Sequence, residues 1–222
     1  MIKAARNATH TCLIYPDLNP ENPREFAEPF GHMVCWHRRY DLGDKHNFDS
    51  PSDFIVAQCE KYCPDMIAED RSFTEMVDAL QDVPAFIILP LYLYDHSGLS
   101  ISTRSFNDPW DSGQVGWIYA TPDDLRETFM REPTEQDIWN ALPTLRQEVH
   151  EYDLYLNGFA YCFELYENDG VQIDACSNIL CDINPEDYIC KNYLPSDVDF
   201  RADDFEDYPG DANDYLCEHN LL

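Results

Sequence analysis

Three short segments hold most of the residue types that carry out acid–base or nucleophilic chemistry. Residues 32–48 (HMVCWHRRYDLGDKHNF) contain Cys35, His37 and His46; residues 89–102 (LPLYLYDHSGLSIS) contain Asp95, His96 and Ser97; residues 109–121 (PWDSGQVGWIYAT) contain Asp111 and Ser112. A hydrolase would take a histidine as base, orient it with a carboxylate, and use Ser112, Ser97 or Cys35 as nucleophile. His37, Asp95, His96, Asp111 and Ser112 are therefore the candidate catalytic residues. Neither serine stands in a G-x-S-x-G elbow, and the same residue types also serve in turns and strand caps.

Metal chemistry has two further sources. Asp41, Asp44, His46 and Asp49, with His37 nearby, form a polar loop that lacks the regular alternation and terminal glutamate of a calcium-binding loop, so a solvated turn is the competing interpretation. Cys59-x3-Cys63 and the looser Cys176-x4-Cys181-x8-Cys190 offer thiolates to zinc, against buried reduced thiols as the alternative. No metal site is assigned, Cys176, Cys181 and Cys190 remaining as the zinc candidates, and no cofactor is expected. Nine cysteines is an odd number, and no apolar export segment follows the first residues, so the expectation is reduced thiols and a cytoplasmic location.

These groups must be positioned by a fold the sequence partly outlines. With 44% apolar and 14% aromatic residues, 222 residues are enough for a substantial core, and no run approaches the ~18 apolar residues of a membrane span. Apolar runs place strands near residues 11–15, 32–37, 85–94, 99–106, 114–120, 159–166 and 171–175, joined by hairpin turns at 95–98 and 167–170. Ser72 before Glu75, Thr121 before Pro122 and Asp124, and Thr134 before Asp137 mark helix starts. Ile138, Leu142, Leu145, Val149, Tyr152 and Leu156 form one apolar stripe on a long helix, which Pro143 would kink or divide. Tyr92, Tyr94, Trp117 and Tyr119 alternate along strands as packing residues. An α+β fold follows, a mainly antiparallel sheet with helices packed against it: residues 1–166 as the core, and residues 167–222 as an acidic extension wrapped on it.

The charge is the most unusual property. Against 14 Lys and Arg stand 43 Asp and Glu, a net charge of -29, with 16 acidic and 2 basic residues from Glu164 onward. Such a chain repels nucleic acid and anionic membranes, so neither is an expected direct partner. A surface of this kind imitates the phosphates of a duplex; about 29 charges match ~15 bp of DNA. Asp197, Asp199, Asp203, Asp204, Glu206, Asp207, Asp211 and Asp214 are the candidate binding residues for a basic partner. Aromatic and aliphatic residues among them, such as Tyr188, Phe200, Phe205 and Tyr215, argue for a packed segment over a solvated tail. Only 4 of the basic residues are Lys, and Asp outnumbers Glu, so adaptation to high salt is a different account of the same composition.

The three segments 32–48, 89–102 and 109–121 resemble an uncharacterised family of bacteriophage and mobile-element accessory proteins, a likeness spanning about residues 30–166. The resemblance implies a phage-type accessory product and brings no catalytic residues. Combined with the charge, it leads to an expected function: a protein that binds and inhibits a nucleic-acid-binding host protein, of the DNA-mimic or anti-defence kind. A hydrolase or metal-dependent enzyme built on His37, Asp95, His96 and Asp111, and a structural viral protein, are the alternatives.

Overall fold

The structure, a computed structural model, describes residues 2–26, 28–68 and 71–221. In chain order the elements are β1 (Ile2–Arg6), β2 (His10–Pro16), α1 (Pro23–Phe26), β3 (His32–Cys35), α2 (Pro51–Tyr62), α3 (Asp65–Ala68), α4 (Phe73–Asp82), β4 (Ile87–Asp95), β5 (Leu99–Ser102), β6 (Ser112–Ala120), α5 (Pro122–Phe129), α6 (Glu135–Leu156), β7 (Ala160–Glu167), β8 (Gln172–Leu180), α7 (Pro185–Asn192), β9 (Glu206–Tyr208) and α8 (Ala212–Glu218). The fold is α+β, with two antiparallel sheets in place of the single sheet expected. No helix among the described residues is long and apolar enough to cross a membrane.

Local side-chain chemistry sets where the helices begin. Ser72 and Thr121 each accept the backbone N–H three residues on, while Glu75 and Asp124 bond back to the cap, closing two capping boxes. Thr134 and Asp137 make the same exchange at the start of α6. That helix runs unbroken through Pro143. Its expected stripe is buried at Leu145, Val149 and Tyr152 and half-buried at Ile138, Leu142 and Leu156.

Two compact units divide the chain: Met1–Asn22 with Leu154–Leu222, and Pro23–Asp153. The boundary expected between residues 166 and 167 falls at the β7–β8 hairpin, inside the first unit.

The first unit is a five-stranded sheet in the order β8-β7-β2-β1-β9. Strand alternation sends Ala5, Cys12, Ile14, Phe163 and Leu165 to one face, where Ile189 of α7 and Val198, Phe200 and Phe205 cover them. Ile2, Ala4 and Leu13 point to the other face and meet Tyr215 and Leu216 of α8. The acidic C-terminal segment thus packs on both faces of the sheet and supplies its β9 edge. Strands β1 and β9 were not legible as strands, because IKAAR and EDY lack a β-branched or apolar run.

The second unit is a four-stranded sheet in the order β3-β6-β4-β5. Trp117, Tyr119, Val34 and Ile88 face Phe54, Ile55 and Cys59 of α2 and Met76 and Leu80 of α4. Trp117 and Tyr119 are both buried, as their alternation requires. Strands β3 and β6 approach closely at Gly116, where an added Cβ would stand 1.9 Å from the Val34 carbonyl oxygen.

Candidate functional site

Antiparallel pairing of β4 with β6 puts Tyr94 opposite Ser112, and the Asp95 N–H extends the ladder to the Asp111 carbonyl at 2.9 Å. This register brings the candidate catalytic residues to one end of the four-stranded sheet. His96, in the β4–β5 turn, bonds through Nδ1 to Asp111 Oδ2 at 2.9 Å. Asp95 is gripped by the Arg39 guanidinium and approached by the Tyr40 hydroxyl at 3.4 Å, and His37 stacks on the Tyr40 ring at 5.0 Å. Arg39 and Tyr40 are participants that residue-type reasoning did not single out; their position two and three residues after His37 was the available signal.

The chemistry this end can support is restricted. With Nδ1 committed to Asp111, His96 keeps Nε2 for proton transfer, the orientation a general base needs. The Ser112 hydroxyl, however, donates to the Asp108 carbonyl, and Ser97 sits at φ +61° in the turn itself. Neither serine has a hydrogen bond to His96. The His96 and Asp111 side chains are 62% and 40% exposed, so the pair stands open to water.

The polar loop at residues 41–49 folds for a different purpose. Asp44 takes two parallel bonds from Arg24, at 2.7 and 2.8 Å, and the Met33 N–H at 2.7 Å. Arg24 also donates to Glu148 at 2.9 Å and to the Gly31 carbonyl at 2.6 Å. Burial opposes charge on the guanidinium, but Asp44 and Glu148 outweigh it and raise its pKa. His46 turns inward, its Nε2 facing the Cys35 carbonyl at 3.0 Å and its ring on Trp36. Its buried Nδ1 has no hydrogen-bond partner. Among the described residues, no group of three or more His, Cys, Asp or Glu side chains is arranged to hold a metal.

That statement covers the cysteine candidates too. Cys181 is buried, Cys176 and Cys190 are half-buried, and all nine thiols are free. Burial pushes the Cys181 and Cys190 thiols up to about 11, and the Cys35 thiol up to about 12. Neutral thiols of this kind are weak nucleophiles and weak ligands.

The acidic candidates behave differently. Asp197, Asp199, Asp203, Asp204, Glu206, Asp207, Asp211 and Asp214 are all exposed. Between them Val198, Phe200, Phe205, Tyr215 and Leu216 are buried, which fixes the backbone that carries the carboxylates. Asp203 and Asp204 lie in a 3-10 turn, Glu206 and Asp207 on the β9 edge, and Asp211 caps α8 by accepting the Asp214 N–H at 2.9 Å. Lys3 pairs with Asp207 at 2.9 Å.

No protein-family profile, curated protein or solved structure matches this chain.

The two candidate sites are built on contrasting physics. The His96 end is a balanced network in which each carboxylate already holds a cation or a donor. The Asp197–Asp214 segment carries eight exposed carboxylates and one exposed cation, Arg201, with Lys3 paired to Asp207, on a backbone held by the apolar residues between them.

Proposed function

We propose that this chain is an acidic accessory protein of the bacteriophage type that binds and inhibits a nucleic-acid-binding host protein, offering carboxylates where that protein expects phosphates. The single supporting observation is the array from Asp197 to Asp214: eight exposed carboxylates on a backbone pinned by buried aromatic and aliphatic residues. An array whose backbone is already ordered spends less conformational entropy on binding than a disordered acidic tail. Long-range attraction to a cationic groove would speed the encounter and make the complex salt-sensitive.

Charged residues on β9 also have a simpler use, since they discourage another strand from adding to an exposed edge. One experiment separates the two roles. Tagged protein is used to capture partners from bacterial lysate at low and at high salt, beside a variant carrying Asp203→Asn, Asp204→Asn, Glu206→Gln and Asp207→Asn. Inhibition requires a nucleic-acid-binding protein that is captured at low salt, released by high salt or by added duplex DNA, and lost with the variant. A captured protein that the variant retains, or that DNA fails to displace, refutes it. A variant that only self-associates points to edge protection alone.

A second proposal rests on the His96–Asp111 bond: a hydrolytic site in which His96 activates water, because no serine among the described residues is hydrogen-bonded to it. Turnover of simple esters or phosphate esters that is abolished by His96→Ala would support it; turnover unchanged by that substitution would exclude it.

A further inference from the structure

We propose that the second unit holds a small oxyanion-binding site, suited to a compact phosphorylated molecule, between β5 and α6. Arg146, Val149, His150 and Asp153 recur at spacings of three and four and so share one face of α6. That face and the chain from Ser100 to Phe106 enclose a cavity of about 230 Å³.

The cavity walls supply donors in excess of acceptors. Its carboxylate, Asp153, is already engaged, accepting the Ser100 hydroxyl at 3.0 Å and the Ile101 N–H at 2.8 Å. Ser102 Oγ accepts the Arg104 N–H at 3.1 Å, which leaves its own proton to donate. The Thr103 hydroxyl has no hydrogen-bond partner among the described residues. His150 contributes its imidazole to the same wall.

Arg146 is the decisive group. In a chain with 43 acidic and 14 basic side chains, a guanidinium has ample opportunity to find a carboxylate. Within the second unit Arg24, Arg39, Lys45, Lys61, Arg71, Arg126 and Arg131 all do so, Arg38, Arg104 and Arg146 do not among the described residues, and of these three Arg146 lines the cavity. Arg146, on the cavity wall, has no carboxylate within ion-pair distance among the described residues. An arginine fork beside two free hydroxyl protons is the donor set that recognises phosphate. Phe106, Ile101 and Val149 add an apolar surface for a small organic moiety. The overall negative charge opposes anion entry at long range. Beyond about 8 Å, however, physiological salt largely screens it, while donors at contact distance lie within that length.

The test is calorimetric titration of the full chain with two probes, inorganic phosphate and phenyl phosphate. Saturable 1:1 binding is expected, tighter for phenyl phosphate, whose ring adds contact with Phe106. Arg146→Gln should weaken both by about tenfold, ~1.4 kcal/mol. Arg38→Gln, which removes another exposed arginine outside the cavity, should change neither, with far-UV circular dichroism confirming that both variants are folded. Absence of saturable binding, binding that survives Arg146→Gln, or an equal loss in Arg38→Gln would each overturn the assignment.

Discussion

Arg24 and Asp44, twenty residues apart in sequence, meet as a two-pronged ion pair in which the arginine side chain is only 1% exposed. The pair ties α1 to the loop after β3, and Glu148 of α6 joins from the other side. Glu148 in turn accepts the Phe30 N–H at 2.7 Å, so one charge network holds the segment leading into β3.

Removing the cation would leave two poorly solvated carboxylates facing each other. Arg24→Ala is therefore expected to destabilise the protein by about 3–5 kcal/mol, the range for breaking a buried pair from one side. Urea unfolding should show this as a lowered midpoint. A shift under ~1 kcal/mol would mean that water reaches and solvates Asp44 and Glu148.

Gly116 is required by a close approach of backbones. Its Cβ position lies 1.9 Å from the Val34 carbonyl and 2.9 Å from Cys35 Cα, both main-chain atoms that cannot swing aside. Gly116→Ala should separate β3 from β6 and lower the melting temperature by several degrees, about what a loss of 1–3 kcal/mol produces. Gly113→Ala, with open space around its Cβ, is the matched control and should melt like the parent.

Acid and base should both weaken the His32–Asp124 contact, 3.2 Å long. Burial disfavours the Asp124 carboxylate, yet bonds from His32 and Thr121 overcome this and bring its pKa down to about 2, from an ordinary 3.8. Its contribution is complete above pH 3.8 and disappears as pH falls through about 2. The bond to Asp124 raises His32 above its ordinary 6.5, against burial, so that contribution is complete below pH 6.5 and disappears as pH rises through the raised value. The stability difference between the parent and His32→Gln should thus be widest between pH 3.8 and 6.5 and narrow on both sides. A difference that widens above pH 6.5 would contradict the assignment.

Thiol labelling should follow burial. Cys217, which is exposed, should react first with a disulfide reagent under native conditions. Cys12 and Cys59 are fully buried, and burial raises both thiols, Cys59 up to about 12. They should label only when denaturant unfolds the chain. Rapid native labelling of either would show that α2 or the five-stranded sheet opens readily.

Much of the local structure could be read directly. The caps at Ser72, Thr121 and Thr134, the turns after Asp95 and Glu167, and the alternation of Trp117 and Tyr119 all follow from interactions between residues close in sequence. Helices α2, α7 and α8 were harder, although Ser50, Asn184 and Asp211 each cap one by the same chemistry. Their caps sit in stretches so rich in polar residues that a single capping side chain does not stand out.

What the sequence by itself determined is the α+β class, the charge of -29, and the pairing of buried apolar with exposed acidic residues through the C-terminal segment. Those properties depend on composition and on short periodicities, which any chain states locally. Only the tertiary structure decided that the first 22 residues join the last 69 around one sheet, that Asp44 pairs with Arg24, and that Arg146 lines the same cavity as Ser102 and Thr103. Each of these rests on contacts between distant residues, whose choice among many similar partners is made by the whole packing at once.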